Sequence, residues 1–166
     1  KLQDNIQYLQ GRIQEISLPE PVDIIISVFT GNFFLEEDLM PTLFYARNKY
    51  LKPEGVMIPD FARMEIAPVC MPDYFEKNIA LWSNLSQQIS FELVRGYAAN
   101  NIYYDDFYGK EQTYLSEPVE ILNMDFHTAN KADCKNTVKV KIINDNICHG
   151  FLGWFKARLG DDWLST

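Results

Sequence analysis

Cysteine is scarce: there are three, at positions 70, 134 and 148, an odd number with no CxxC spacing among them. Neither a disulfide framework nor a structural zinc site is indicated, and a reducing, cytoplasmic setting is expected. Basic residues are short as well, 15 Lys and Arg against 23 Asp and Glu, for a net charge of −8. That balance argues against nonspecific nucleic-acid binding, which needs basic surface, and leaves room for a basic partner. No apolar run approaches the roughly 18 residues of a membrane helix, and no signal peptide is visible, so no membrane role is expected. No glycine-rich loop that could cradle a phosphate or cofactor is present; Gly11 after a short apolar stretch is no fingerprint by itself. Repeats and low-complexity tracts are absent.

What is present is ample hydrophobic material, 47% of 166 residues, enough for a packed core in one domain or two small ones. Residues 5–9 (NIQYL) have the pattern of a short strand, RIQEI at 12–16 that of a turn or short helical piece, and LPEP at 18–21 is a breaker. Val22 to Ser27 (VDIIIS) is nearly continuous and rich in β-branched residues, the pattern of a strand buried on both faces. Leu35 to Leu51 predicts a helix, with Leu35, Leu39, Leu43, Ala46 and Tyr50 on one face. Glu36, Glu37 and Asp38 then fall in its first turn and Arg47, Lys49 and Lys52 near its end, as the helix dipole favours. Pro41 requires that the helix begin near Asp38 or be kinked. Pro53–Gly55 is read as the stop, with a further strand at Val56–Ile58. The order is β, turn, β, α, β, part of a doubly wound α/β unit.

The grammar changes at Pro59–Asp60. RMEIAPV (63–69), EPVEILNMDF (117–126), NTVKVKIINDN (136–146) and HGFLGWFKARL (149–159) read as strands, and EKNIALWSNL (76–85) as helix. This half is expected to be an antiparallel β-domain with a helical insertion.

The stretch SVFTGNFFLEEDLMPTLFYARNKYLKPEGVMIPD, residues 27–60, resembles the protein arginine methyltransferases. The residues that carry the likeness are Ser27, Gly31, Glu37, Tyr45-Ala46-Arg47, Lys49-Tyr50-Leu51, Lys52-Pro53, Gly55 and Ile58-Pro59-Asp60. Further on, Trp82 in KNIALWSNL is similar to the family's dimerisation arm, EPVEILNMDF and CHGFLGWFKARL to its barrel strands, and WLST to the opening of its Ser-Thr-Ser-Pro segment.

The resemblance implies an S-adenosylmethionine-dependent enzyme of α/β plus β class. Residues 1–59 would be the second half of a Rossmann-like cofactor-binding domain. Residues 60–166 would be a β-barrel-like substrate and dimerisation domain with its arm at about 70–110. The cofactor's glycine-rich loop and the family's C-terminal histidine loop would lie outside these residues, so the 166 residues alone are expected to bind little cofactor and not to catalyse. The methyl acceptor would be a protein or small molecule, and the enzyme a homodimer through the arm.

The family holds a guanidinium with two glutamates, because the planar fork matches carboxylate geometry. In register, Glu37 stands at the second and Val28 at the first, and valine accepts no hydrogen bond. Glu36 points elsewhere on a helix. The departure leaves the acceptor open, and a non-catalytic dimerisation or interaction module is the alternative. Ile13 and Gln14 fall where the family frames adenine with an aliphatic–Glu pair; an ordinary loop explains them equally well.

The other candidates have everyday readings beside the functional ones. Glu37 can serve as an acid stabilising a helix start. Phe29, Phe33 and Phe34 can wall a pocket or pack the core, and core is expected for at least one. Asn32 stands where the family often has tyrosine. His149, inside a strand, is expected to bond to backbone or water, and His127 has less context. Trp82, Tyr103, Tyr104 and Tyr108 can form a dimer contact or, singly, core and loop.

Overall fold

A computed structural model describes residues 5–28, 30–84, 89–104, 107 and 111–166. The chain forms two compact units. The first contains Lys1–Met64, Ile121–Asn136 and Trp154–Thr166; the second contains Glu65–Glu120 and Thr137–Gly153.

The first unit opens with a βαβ element. Strand β1 (Val22–Ile26) runs parallel to β2 (Leu51–Ile58), and helix α1 (Met40–Tyr50) connects them. The pairing is irregular between Val22 and Ile24, where β2 carries Pro53, which has no N–H to give a ladder. Below α1 lies the core: Phe34, Met40, Leu43, Phe44 and Met57 pack with Ala62, Met64, Met124, Phe126, Phe155 and Ala157. These residues come from distant parts of the chain, so burial, not local propensity, fixes α1 in place.

The antiparallel part is a five-stranded sheet. Its order is β4 (Thr113–Tyr114), β3 (Phe61–Cys70), β6 (Gly150–Leu159), β7 (Asp162–Ser165), with β5 (Val119–Asp125) pairing with β3. Strands β6 and β7 form a hairpin closed by Gly160 and Asp161, Leu159 pairing with Asp162. Gly160 takes φ +69°, the left-handed conformation that a two-residue hairpin turn requires.

At the junction of β2 and β3, Asp60 accepts two hydrogen bonds from Arg158, from Nε at 2.8 Å and from Nη2 at 2.7 Å. The Arg158 guanidinium holds the Asp60 carboxyl below its ordinary range, against a smaller opposing effect of burial. A depressed carboxyl stabilises the fold above its unfolded pKa and loses that contribution as pH falls through the lower folded value. Acid unfolding of the wild type below about pH 4 is therefore expected to be steeper than that of Asp60→Asn. Melting temperature against pH measures this directly; parallel curves for the two proteins would remove the pair from the acid response.

Several expectations from the sequence are corrected. Residues 5–9 are in no strand; Ile6, Tyr8 and Leu9 are exposed, and among the described residues β2 is the only strand paired with β1. For the same reason β1 is not buried on both faces: Ile24 and Ile26 lie open, Ile26 at 76%. The helix begins at Met40, with Pro41 in its first turn where a missing N–H costs nothing, and it ends at Tyr50, so Lys52 and Pro53 already belong to β2. Glu36–Asp38 form a separate 3-10 turn ahead of α1. Residues 136–146 are not in a strand: they are mostly exposed, and Ile143 N and Asn144 N both donate to Leu115 O, so one carbonyl takes the place of a ladder. Valine and isoleucine alternating with lysine satisfy a strand pattern, but the pattern cannot supply a neighbouring edge.

The second unit carries the helical arm. Helix α2 (Pro72–Phe75), a π-helical turn (Glu76–Ala80) and α3 (Leu81–Asn84) follow one another, and α4 (Glu92–Ala99) comes after. The Trp82 indole donates to Asn78 O at 3.1 Å, and the Tyr103 hydroxyl to Ala98 O at 2.9 Å. Together with Lys77, Leu81, Val94 and Tyr97 they line a groove of about 500 Å³. Helix α4 buries none of its residues, and Leu93 and Tyr97, one turn apart, are exposed. Tyr108 lies outside the described residues. His149 is bonded to backbone, its Nδ1 accepting from Met71 N at 3.1 Å, and its ring packs on Phe75. Among the described residues, no helix is long and apolar enough to cross a membrane, and no group of three or more His, Cys, Asp or Glu is placed to hold a metal.

Candidate functional site

The loop from Ser27 to Leu39 joins the carboxyl end of β1 to α1, the place where open α/β sheets put their ligands. It starts on the sheet, where Ser27 N donates to Ile58 O at 2.9 Å. It then folds on itself: Gly31 N donates to Phe34 O at 3.1 Å and Phe34 N to Gly31 O at 3.0 Å. Four non-glycine residues within this short reach are left-handed, Phe33 (φ 42°), Phe34 (64°), Glu37 (74°) and Asp38 (53°). Each costs on the order of 1–3 kcal/mol and persists only where its surroundings hold it.

Three contacts hold this loop. Phe34 is 0% exposed, stacked on Phe126 at 5.9 Å and tilted against Phe155 at 5.6 Å. The Gly31–Phe34 bridge pins the turn. The Gly31 backbone lies so close to the 3-10 turn that a Cβ there would fall 1.8 Å from Glu36 O, so no side chain fits. Of the loop aromatics, Phe34 is thus core, Phe33 is half-buried against that core, and Phe29 lies outside the described residues.

Glu37 is exposed at the crest of this loop, where its Oε1 accepts from Asn32 N at 3.5 Å. Glu36, Glu37 and Asp38 are not in the first turn of α1, which contains no acid. Support of the helix dipole therefore does not explain Glu37. Val28, on the same loop, is 87% exposed.

Ile13 and Gln14 sit on a second turn, Arg12–Ile16, closed by Glu15 N and Ile16 N donating to Arg12 O. Ile13 is half-buried and the Gln14 side chain is exposed. This turn is fastened to α1. The Tyr50 hydroxyl lies 2.9 Å from Ile13 O and 2.7 Å from Ile16 O, and the Tyr45 hydroxyl 3.3 Å from Gln14 O. Lys49 Nζ lies 3.3 Å from Gln14 O and 3.2 Å from Ile16 O. Hydrogen bonds with Tyr50 and Tyr45 hold the Lys49 ammonium above its ordinary pKa. Among the described residues, no hydrogen bond joins Glu37 to Ile13 or Gln14; the loop and the turn are related through α1, one leading into its start and the other bonded to its end.

On its other side α1 carries Arg47, whose Nη1 donates to Phe126 O and to Ala129 O, each at 2.6 Å, with the guanidinium 5.1 Å from the Phe44 ring centre. The sequence reading took Tyr50 as part of the helix's apolar face, Arg47 and Lys49 as cations near its end and Tyr45 as a motif letter, and gave none of them a hydrogen-bond partner. Their clustering at the end of one helix, each with a donor to give, was the available signal; the carbonyls that receive those donors lie far away in sequence or in a turn with no pattern of its own.

Residues 60–166 match a family model described as the arginine methyltransferase oligomerization subdomain. Protein arginine N-methyltransferase 2 of Dictyostelium discoideum is 29% identical over 94% of this chain and 32% of its own length. Protein arginine N-methyltransferase 1 of Schizosaccharomyces pombe is 30% identical over 93% of this chain and 46% of its own length. The chain thus spans from about a third to just under half of the length of these curated relatives. Among solved structures, the Trypanosoma brucei PRMT1 enzyme-prozyme heterotetrameric complex with AdoHcy superposes with a TM-score of 0.80 at 25% identity, covering 99% of this chain and 54% of that one. The fold is that of this structure: the end of a Rossmann-like sheet followed by a barrel-like antiparallel domain with a helical arm.

Proposed function

The chain belongs to the protein arginine methyltransferase family, and on that premise we propose that it is the later part of an S-adenosylmethionine-dependent methyltransferase. The acceptor is a protein side-chain nitrogen or a related nucleophile. Residues 1–59 close the cofactor-binding domain, and residues 60–166 form the substrate and dimerisation domain, with the arm at about 70–110. The matched oligomerization subdomain and the open apolar face of α4 support a homodimer through that arm. The free thiols of Cys70, Cys134 and Cys148 support a reducing, cytoplasmic location.

The observation that carries the reading is the placement of Glu37: an exposed carboxylate on a strained, core-anchored loop at the carboxyl end of a sheet strand. Glu37 accepts charge-assisted hydrogen bonds from the acceptor's nitrogen group, fixing its orientation. The anchoring at Phe34 and Gly31 keeps the carboxylate from swinging away, so the geometry is set before the acceptor arrives. The half-buried Ile13 and the exposed Gln14 amide fit an adenine, an apolar surface beside a hydrogen-bond acceptor. S-adenosylmethionine, when bound, supplies a sulfonium methyl for displacement by the oriented nitrogen.

Val28 gives the second reading its support. With no acceptor at that position, one edge of a guanidinium goes unheld, and the chain is similar to a complex that joins an enzyme to a prozyme. A non-catalytic dimerisation or interaction subunit is therefore the alternative.

The full-length protein, incubated with labelled S-adenosylmethionine and an extract from its own source, is expected to transfer label to a side-chain nitrogen. Glu37→Gln is expected to lower that transfer about 100-fold, the scale for losing one positioned electrostatic group, while leaving cofactor affinity unchanged. Cofactor binding with no transfer to any acceptor selects the second reading.

A further inference from the structure

We infer that Tyr45, Lys49 and Tyr50 are positioning residues for the nucleoside base, setting the turn Arg12–Ile16 so that Ile13 and Gln14 present a fixed edge to adenine. The inference rests on the cofactor reading of Ile13 and Gln14 given above.

The Arg12–Ile16 turn cannot hold this geometry alone. It has two internal hydrogen bonds, both to Arg12 O, and its Arg12–Glu15 ion pair is a 4.0 Å surface contact that contributes little. The carbonyls of Ile13, Gln14 and Ile16 need donors from elsewhere, as at the open end of any short helical turn. Helix α1 supplies them from one patch. The single hydroxyl hydrogen of Tyr50 is shared between Ile13 O and Ile16 O, Tyr45 gives its hydroxyl to Gln14 O, and Lys49 divides its three N–H groups between Gln14 O and Ile16 O. Lys49 is itself held, its ammonium 5.3 Å and 4.9 Å from the ring centres of Tyr45 and Tyr50.

Every one of these bonds ends on a main-chain carbonyl. The lock fixes the backbone at positions 13, 14 and 16 and takes up neither the Ile13 nor the Gln14 side chain. A neutral amide at position 14 attracts the adenine 6-amino group less than a carboxylate would, so its contribution depends more on being held in line.

The test measures the 6-amino group's own contribution to binding. Calorimetry on the full-length protein compares S-adenosylhomocysteine with its analogue whose purine lacks the 6-amino group. Wild type is expected to prefer the amino compound. Tyr45→Phe, Lys49→Met and Tyr50→Phe are each expected to cut affinity for S-adenosylhomocysteine about tenfold while leaving the deamino analogue within a factor of two, so the preference collapses. Lys49→Arg, which keeps donors, is expected to retain most of it. Equal weakening of both ligands, or of neither, overturns the inference while leaving the cofactor reading intact. No saturable binding of S-adenosylhomocysteine by wild type overturns the cofactor reading and the inference together. Should Tyr50→Phe fail to fold, the two variants at exposed positions, Tyr45→Phe and Lys49→Met, decide the matter.

Discussion

Phe34→Ala is expected to destabilise the first unit by about 3–5 kcal/mol, the range for removing a fully buried aromatic side chain. Phe34 is 0% exposed and lies between the rings of Phe126 and Phe155, so truncation removes transfer energy and leaves a cavity whose walls belong to a helix–sheet core and cannot easily collapse. The same side chain holds a left-handed backbone residue in place, so the loop should relax as the protein weakens. Denaturant unfolding gives the stability loss. Phe34→Leu separates the two effects: it keeps apolar volume and is expected to recover more than half of the stability while still losing the ring stacking. A loss below about 1 kcal/mol for the alanine variant would mean that the loop is not anchored by this residue.

Arg47→Ala is expected to cost about 3 kcal/mol. Its Nη1 is the donor for both Phe126 O and Ala129 O, and Phe126 is fully buried, so removing the guanidinium leaves the Phe126 carbonyl without this partner where water has poor access. Charge-assisted hydrogen bonds are worth about 1.5–3 kcal/mol each, and leaving a buried acceptor unmade carries a further penalty. Burial pulls the Arg47 pKa down from its ordinary value and the nearby Asp125 opposes that, yet a guanidinium stays charged throughout the working pH range. The loss should therefore be independent of pH between about 5 and 9. Arg47→Lys is expected to recover less than half, since the shorter lysine side chain places its ammonium short of the two carbonyls that Nη1 reaches. Unfolding curves for the three proteins at two pH values check all of this; full recovery by lysine would show that charge alone, without geometry, is what the site needs.

These two residues show how unevenly the structure could be read from sequence. The βαβ element was legible because β-branched content at 22–26 and the period of 35–50 are local properties. The strands at 61–70, 119–125 and 150–159 were legible for the same reason. Residues 5–9 and 136–146 carried equally good strand patterns and form no strand, because a strand also needs an edge to pair with, and pairing is decided elsewhere in the chain. The aromatic run at 29–34 announced a packed loop, but which ring would be buried depended on Phe126 and Phe155, more than 90 positions away.

The candidate site divides along the same line. Glu37, Val28, Ile13 and Gln14 were singled out by the family resemblance, the first two within one contiguous run. The fastening of Ile13, Gln14 and Ile16 to Tyr45, Lys49 and Tyr50, and the clip from Arg47 to Phe126 and Ala129, had no such signal. A side chain's identity declares that it has a hydrogen to donate; only the folded chain says which carbonyl is left needing one.

The sequence by itself determined the family and the order of α/β and β parts, because each is written in residues close together along the chain. Tertiary structure decided that Glu37 leaves the helix for a strained turn, that Phe34 is its anchor, and that α1 fastens the Arg12–Ile16 turn through three side chains. Those outcomes depend on burial and on satisfying main-chain carbonyls, and both are settled only when distant segments meet.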